Sequence, residues 1–213
     1  MIRKLLELLG LRKKSVPKPL QKVYRQAPKG KVVAKALYGY DMEFMYGRND
    51  IKDPGQCPIC HTSFKKVPNP DYKVQKKKGD VFCTYDGYMI VTEKFKTFCE
   101  INEYRYLKFI PLPKSPGYYY FEAEGIFRID STRRHFYFGK KQECCNQYDC
   151  IAIGGMLWKD KDFYLPTDDF IFQTDYWFGD HHNKSPLVII GTKTAGKMKR
   201  YGLSGIYFDN VMG

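Results

Sequence analysis

Residues 88 to 112, YMIVTEKFKTFCEINEYRYLKFIPL, align without gaps onto residues 187 to 211, LVIIGTKTAGKMKRYGLSGIYFDNV, and this pairing constrains the fold more than any other feature of the chain. Ile90 meets Ile189, Val91 meets Ile190, Lys94 meets Lys193, Leu107 meets Ile206 and Phe109 meets Phe208. In each copy an apolar run is followed by about ten residues of helical spacing and then by alternating apolar positions, so the period passes from 2 to 3.6 and back. That pattern predicts two similar strand-helix-strand units, with Thr92 and Thr192 as N-caps whose hydroxyls accept a free backbone amide. Periodicity alone can also generate such a match between two unrelated β-α-β segments.

Around these units the sequence favours strands. The chain has 213 residues, of which 16% are aromatic, including 18 Tyr and 15 Phe, and such side chains suit a pleated, half-buried surface. A chain of this size buries roughly 70% of its unfolded surface and forms a core without disulfides. The expected class is α+β, a β-rich single domain. Strands are predicted in KVVAKALYGYDMEFMY, in VFCTYDGYMIV, and as a pair across 116–139 with a turn at Asp130 to Arg133.

The net charge of +13 is concentrated at one end. Eleven Lys and Arg residues up to Lys35 stand against Glu7 alone, which places about +10 in that stretch and leaves the body nearly balanced. The opening MIRKLLELLGLRKK reads as a short amphipathic helix. Glu7 and Gly10 interrupt its apolar stretch, and no A-x-A type cleavage site follows. Pro17, Pro19, Pro28 and Gly30 then mark an extended linker. The expected organisation is a basic helix and linker over 1–30 and a folded domain over 31–213. A charged arm is weaker support for nucleic-acid binding than a patch on a folded face, so that partner is disfavoured. No run of 18 apolar residues exists, and no membrane span is expected.

The seven cysteines carry the chemistry. Cys57-Pro-Ile-Cys60 has the C-x-x-C spacing that lets two thiolates face one ion while the following amides stabilise their charge. The other half of a tetrahedral site is expected from ECCNQYDC: Cys145 first, with Cys144, Cys150 or His61 to complete the set. An odd cysteine count without a secretory signal argues against a disulfide framework. Cys83 and Cys99 fall in a predicted strand and helix and read as core. A closed four-ligand structural zinc site supports folding and leaves no open position for catalysis.

Three other motifs read as structural. Gly191 to Met198 nearly matches G-x-x-x-x-G-K-[ST], but Met198 cannot ligate Mg²⁺. Asp180, His181 and His182 read as a surface loop rather than a metal or acid-base site. Asp168 and Asp169 read as a turn or cap rather than a catalytic pair. With G-x-S-x-G, H-E-x-x-H and G-x-G-x-x-G absent, no catalytic residue is assigned and the chain is not expected to be an enzyme.

Cys57-Pro-Ile-Cys60, YDGYMIVTEKFK over 85–96, FIPL over 109–112, SPLVII over 185–190 and Leu203-Ser-Gly-Ile-Tyr-Phe208 give the body a resemblance. From about residue 35 onward it resembles a bacterial family named for a double C-x-x-C-G motif, and the related polymorphic-toxin immunity proteins that end in a strand-helix-strand. His61 stands where the first motif has glycine, and Gln142 stands where the second has its first cysteine, for which Cys144 can substitute. The resemblance implies a non-enzymatic cytoplasmic protein that binds and neutralises a cognate toxin. The alternative from composition is a zinc-containing nucleic-acid-associated module that uses the basic arm and the KVQKKK loop over 73–78.

Overall fold

The computed structural model describes residues 30–47, 53–75, 78–133 and 136–213. The expected amphipathic helix over 1–14 and most of its linker lie outside the described residues, as do two positions of the 73–78 loop. Among the described residues the protein is β-rich with two α-helices. The strands are β1 (Val32–Tyr38), β2 (Tyr40–Met42), β3 (Val81–Thr84), β4 (Met89–Thr92), β5 (Leu107–Pro111), β6 (Tyr118–Ala123), β7 (Ile126–Phe127), β8 (Phe136–Phe138), β9 (Cys150–Ile153), β10 (Leu157–Trp158), β11 (Ile171–Asp180), β12 (Ser185–Gly191) and β13 (Tyr207–Met212). The helices are α1 (Glu93–Ile101) and α2 (Thr192–Arg200).

These strands form two sheets. The larger runs β10-β13-β1-β12-β11-β9-β8, with β7 also on β11, and the smaller runs β2-β3-β4-β6-β5. Only Gly39 separates β1 from β2, and there the chain passes from one sheet to the other. A Cβ at Gly39 would lie 2.5 Å from the backbone of Val81 and Phe82, so a larger residue would push the sheets apart.

The strand-helix-strand segments lie one in each sheet. In the smaller sheet β4 and β5 flank β6, which is antiparallel to both. In the larger, β12 and β13 flank β1, again antiparallel to both. An antiparallel hairpin partner precedes each first strand, β3 for β4 and β11 for β12. The central strand follows the segment in one sheet and comes from the start of the described chain in the other.

Alternation along the strands distributes the core. Val91, Val188 and Ile190 face inward with Phe95, Phe98 and Cys99 of α1 and Ala195 and Met198 of α2. Their neighbours Ile90 and Ile189 point to the opposite faces, into separate apolar clusters beneath the loops. Both faces are thus covered at β4 and β12, which explains why these strands bury successive apolar residues, Ile90 with Val91 and Val188 through Ile190.

Two local expectations need correction. Thr92 caps α1, accepting from the Phe95 amide, but α2 is capped from Gly191, and Thr192 is its first helical residue with no capping bond from its side chain. The 116–139 stretch is not a hairpin: β6 lies in the smaller sheet, whereas β7 and β8 lie in the larger. Alternation marks a strand but does not say which sheet receives it. The turn itself forms, with Asp130 accepting from the Thr132 amide.

Candidate metal centre

Cys57, Cys60, Cys144 and Cys145 come together, their sulfurs within 4.8 Å of one another. Cys57 Sγ lies 3.6 Å from Cys144 Sγ, and Cys60 Sγ 3.6 Å from Cys145 Sγ. A tetrahedral ion with metal–sulfur bonds of about 2.3 Å requires sulfurs about 3.8 Å apart, close to these distances and far beyond a disulfide bond. The four cysteines can hold a metal ion. His61 and Cys150 are not in the group.

Two turns of the same construction build the site. In the first, the His61 amide donates to the Cys57 carbonyl (2.9 Å) and the Cys57 amide to the Thr62 carbonyl (3.0 Å). In the second, the Asn146 amide donates to the Gln142 carbonyl (2.8 Å) and the Gln142 amide to the Gln147 carbonyl (2.7 Å). Isolated bridges close both turns, Gln56 with Ser63 and Lys141 with Tyr148. The amides of Thr62 and Gln147 point at the sulfurs of Cys60 and Cys145 respectively. His61 and Asn146 both adopt φ 57°, the left-handed conformation that glycine takes most readily.

The structure therefore aligns Cys60 with Cys145 and Cys57 with Gln142, whose side-chain amide turns away to Asp149 (2.9 Å). Cys144, at the position matching exposed Ile59, supplies the fourth sulfur. Cys57 is buried and Cys144 exposed, so one edge of the cluster faces solvent.

The sulfurs differ in acidity. Burial acts to raise the Cys60 thiol, but the hydroxyl and amide of Thr62 and the thiols of Cys144 and Cys145 outweigh it and draw the group down to about 6. Its hydrogen bond with Cys60 is the main cause that pushes Cys144 up to about 12. One thiolate stabilised by its neighbours is what a metal-binding thiol cluster presents before the ion displaces the remaining protons.

A third segment, the 3-10 turn His181–Asn183 with Lys184 behind it, locks the two turns together. On one side the Ser63 amide donates to the His181 carbonyl (3.1 Å) and the Ser63 hydroxyl to the His182 carbonyl (2.9 Å). On the other, the His181 amide donates to the Asp149 carbonyl (2.6 Å), and the buried Lys184 ammonium donates to the Tyr148 carbonyl. Burial lowers the Lys184 pKa, opposed by Cys145, Asp149, Cys150 and Cys60. Lys184 thus holds a positive charge beside a cluster that is anionic when ligated. Nothing local in Asn183-Lys184-Ser185 signals this role, and the sequence reading missed it.

The remaining candidates have structural duties. Asp169 accepts from Tyr104 (2.7 Å) and Thr194 (3.0 Å) and pairs with Lys197 at 2.6 Å, tying the start of β11 to α2. Asp168 and Asp169 precede β11 and His181 follows it, so a ten-residue strand, about 30 Å long, separates them. The Gly191 to Met198 motif has no loop between strand and helix, because α2 begins at Thr192. A phosphate cradle needs such a loop. Burial raises the Cys83 thiol to about 11 and also raises Cys99, in keeping with core positions.

Fold and site together define a β-rich protein with a four-cysteine cluster. Comparison of the chain with models of known protein families and with curated proteins finds no match. Among the described residues no helix is long and apolar enough to cross a membrane.

Proposed function

We propose that this chain is a non-enzymatic bacterial immunity-type protein that binds and neutralises a cognate polymorphic toxin in the cytoplasm. A structural zinc on Cys57, Cys60, Cys144 and Cys145 clips its fold. The observation that carries the reading is the pair of matched turns: His61 and Asn146, at the two positions where the double C-x-x-C-G pattern places glycine, both adopt φ 57°. The second turn thus has the backbone of the motif although Gln142 replaces its first cysteine. All-thiolate ligation favours zinc over hard cations, and a closed set of four sulfurs suits a structural role. On the same reading the two strand-helix-strand segments are one unit used twice, since α1 and α2 occupy aligned positions, 93–101 and 192–200.

The test is co-expression with the toxin encoded beside this gene, followed by size-exclusion chromatography of the pair and a growth assay. A stoichiometric complex and restored growth support the proposal. Free migration of both proteins with undiminished toxicity rejects it. Binding instead to arbitrary nucleic acid, with affinity falling linearly in log salt, would favour the zinc-containing nucleic-acid-associated module.

A further inference from the structure

A cavity of about 240 Å³ lies between the two sheets, walled by strands of both. Gly87, at φ 81°, allows the turn between β3 and β4 to approach β12; a Cβ there would meet Ser185 at 2.7 Å. Tyr38, Met89, Phe121 and Val188 line the space, and its polar groups include Lys66, Glu122 and Asn183.

One of these groups lacks a hydrogen bond, and another has lysines near it but no direct ion pair. Asn183 Oδ1 is the one buried side-chain polar atom among the described residues without a hydrogen bond. Native structures leave few such atoms without a protein or water partner. Glu122 is half-buried, and burial raises its pKa; the charges near it are Lys108, Glu124 and Lys65. Lys66, by contrast, is satisfied: its ammonium donates to the carbonyls of Asp86 (2.6 Å) and His182 (3.2 Å) and to the Ser63 hydroxyl (3.4 Å), beneath the Tyr88 ring. Its three donors leave none for an anion. Behind Lys66 stand Asp53 and Asp86, buried and bonded to neutral donors, and their charges offset its own.

The geometry points to a binding site for a protonated amine or guanidinium on a short apolar stem. The cation would face Glu122 and donate to Asn183 Oδ1, while the stem rests on Tyr88 and Tyr120, which share the face of Glu122 and also line the cavity. The cavity is smaller than the roughly 300–1,000 Å³ typical of drug-sized ligands, which restricts the occupant to a free small amine or one basic side chain of a partner protein. The toxin-binding reading is not required, because the site is testable on the isolated protein.

Isotope-labelled protein is titrated with n-butylguanidinium, n-butylamine, butyrate and n-butanol while the backbone amides of Gly87, Ser185 and Val188 are followed by NMR. Both cations should give saturable shifts, weakened at least tenfold in Glu122→Gln and in Asn183→Leu, and butyrate none. An end-blocked peptide with central Arg that saturates at lower concentration than n-butylguanidinium assigns the site to a partner's side chain; the reverse order assigns it to a free amine. Absence of saturable shifts with either cation overturns the inference. So does equal binding of butyrate, or undiminished binding in both variants. Glu122→Gln changes charge and little else, so it remains informative if Asn183→Leu folds poorly.

Discussion

Replacing Cys145 with Ser removes one sulfur from a cluster that joins two turns 85 residues apart in the chain. A cross-link closing a loop of that length lowers the entropy of the unfolded chain by the equivalent of about 4.5 kcal/mol at 25 °C. Some of this is lost because an unfolded C-x-x-C pair still binds metal weakly, so we expect a net loss of roughly 3–4 kcal/mol. In a domain of this size each kcal/mol shifts the melting temperature by about 2–4 °C, so Cys145→Ser should melt roughly 6–16 °C below the parent. Zinc per chain, measured by inductively coupled plasma mass spectrometry, should fall from one toward zero. A strong chelator should bring the parent down to the variant's melting temperature and leave the variant unchanged. Cys150→Ser, outside the cluster, should match the parent in both readouts. The reasoning fails if the parent purifies without metal and Cys145→Ser melts within a degree of it.

Three further outcomes follow from individual groups. Burial draws Lys66 down to about 8, below the value near 10.4 of an unfolded lysine, so the penalty on its charge is full below pH 8 and relieved as pH rises to about 10.4. Urea unfolding at pH 7.5 and 10 should therefore show the parent gaining on the order of 2–3 kcal/mol relative to Lys66→Met, and a pH-independent difference would refute it. His61→Gly and Asn146→Gly should each keep the metal and be neutral to about 1 kcal/mol more stable, because relief of left-handed strain offsets the added freedom of the unfolded chain, whereas His61→Val should be less stable than the parent. Thr92→Ala should lower stability by about 1 kcal/mol through loss of the α1 cap, whereas Thr192→Ala should change it by a few tenths; equal losses in denaturant titrations would contradict the assigned caps.

Elements whose identity depends on near neighbours were legible in the sequence. The period change at Thr92 marks a strand giving way to a helix, and α1 begins at Glu93 as that cap places it, whereas α2 begins at Thr192, the residue expected to cap it. Cys57 and Cys60 were legible as a pair because their spacing alone brings both sulfurs to one side of a turn. The unbroken apolar run over 188–190 already marked a buried strand.

Other features depended on contacts between distant segments. The choice among Cys144, Cys150 and His61 required the second turn to be seen against the first: only then does Gln142 occupy the place of Cys57, with Cys144 closing the cluster. The separation of β6 from β8 into different sheets had no local signal, because pairing partners are selected by packing. Lys184 and Asn183 were unreadable for the same reason: one is defined by a carbonyl 36 residues away and the other by a cavity between two sheets. The sequence by itself determined the two helices, the strands flanking them and the first thiol turn, since those depend on short-range geometry. The tertiary structure alone decided which turns meet and which polar atoms they leave without partners, since burial and hydrogen-bond satisfaction are properties of the assembled chain.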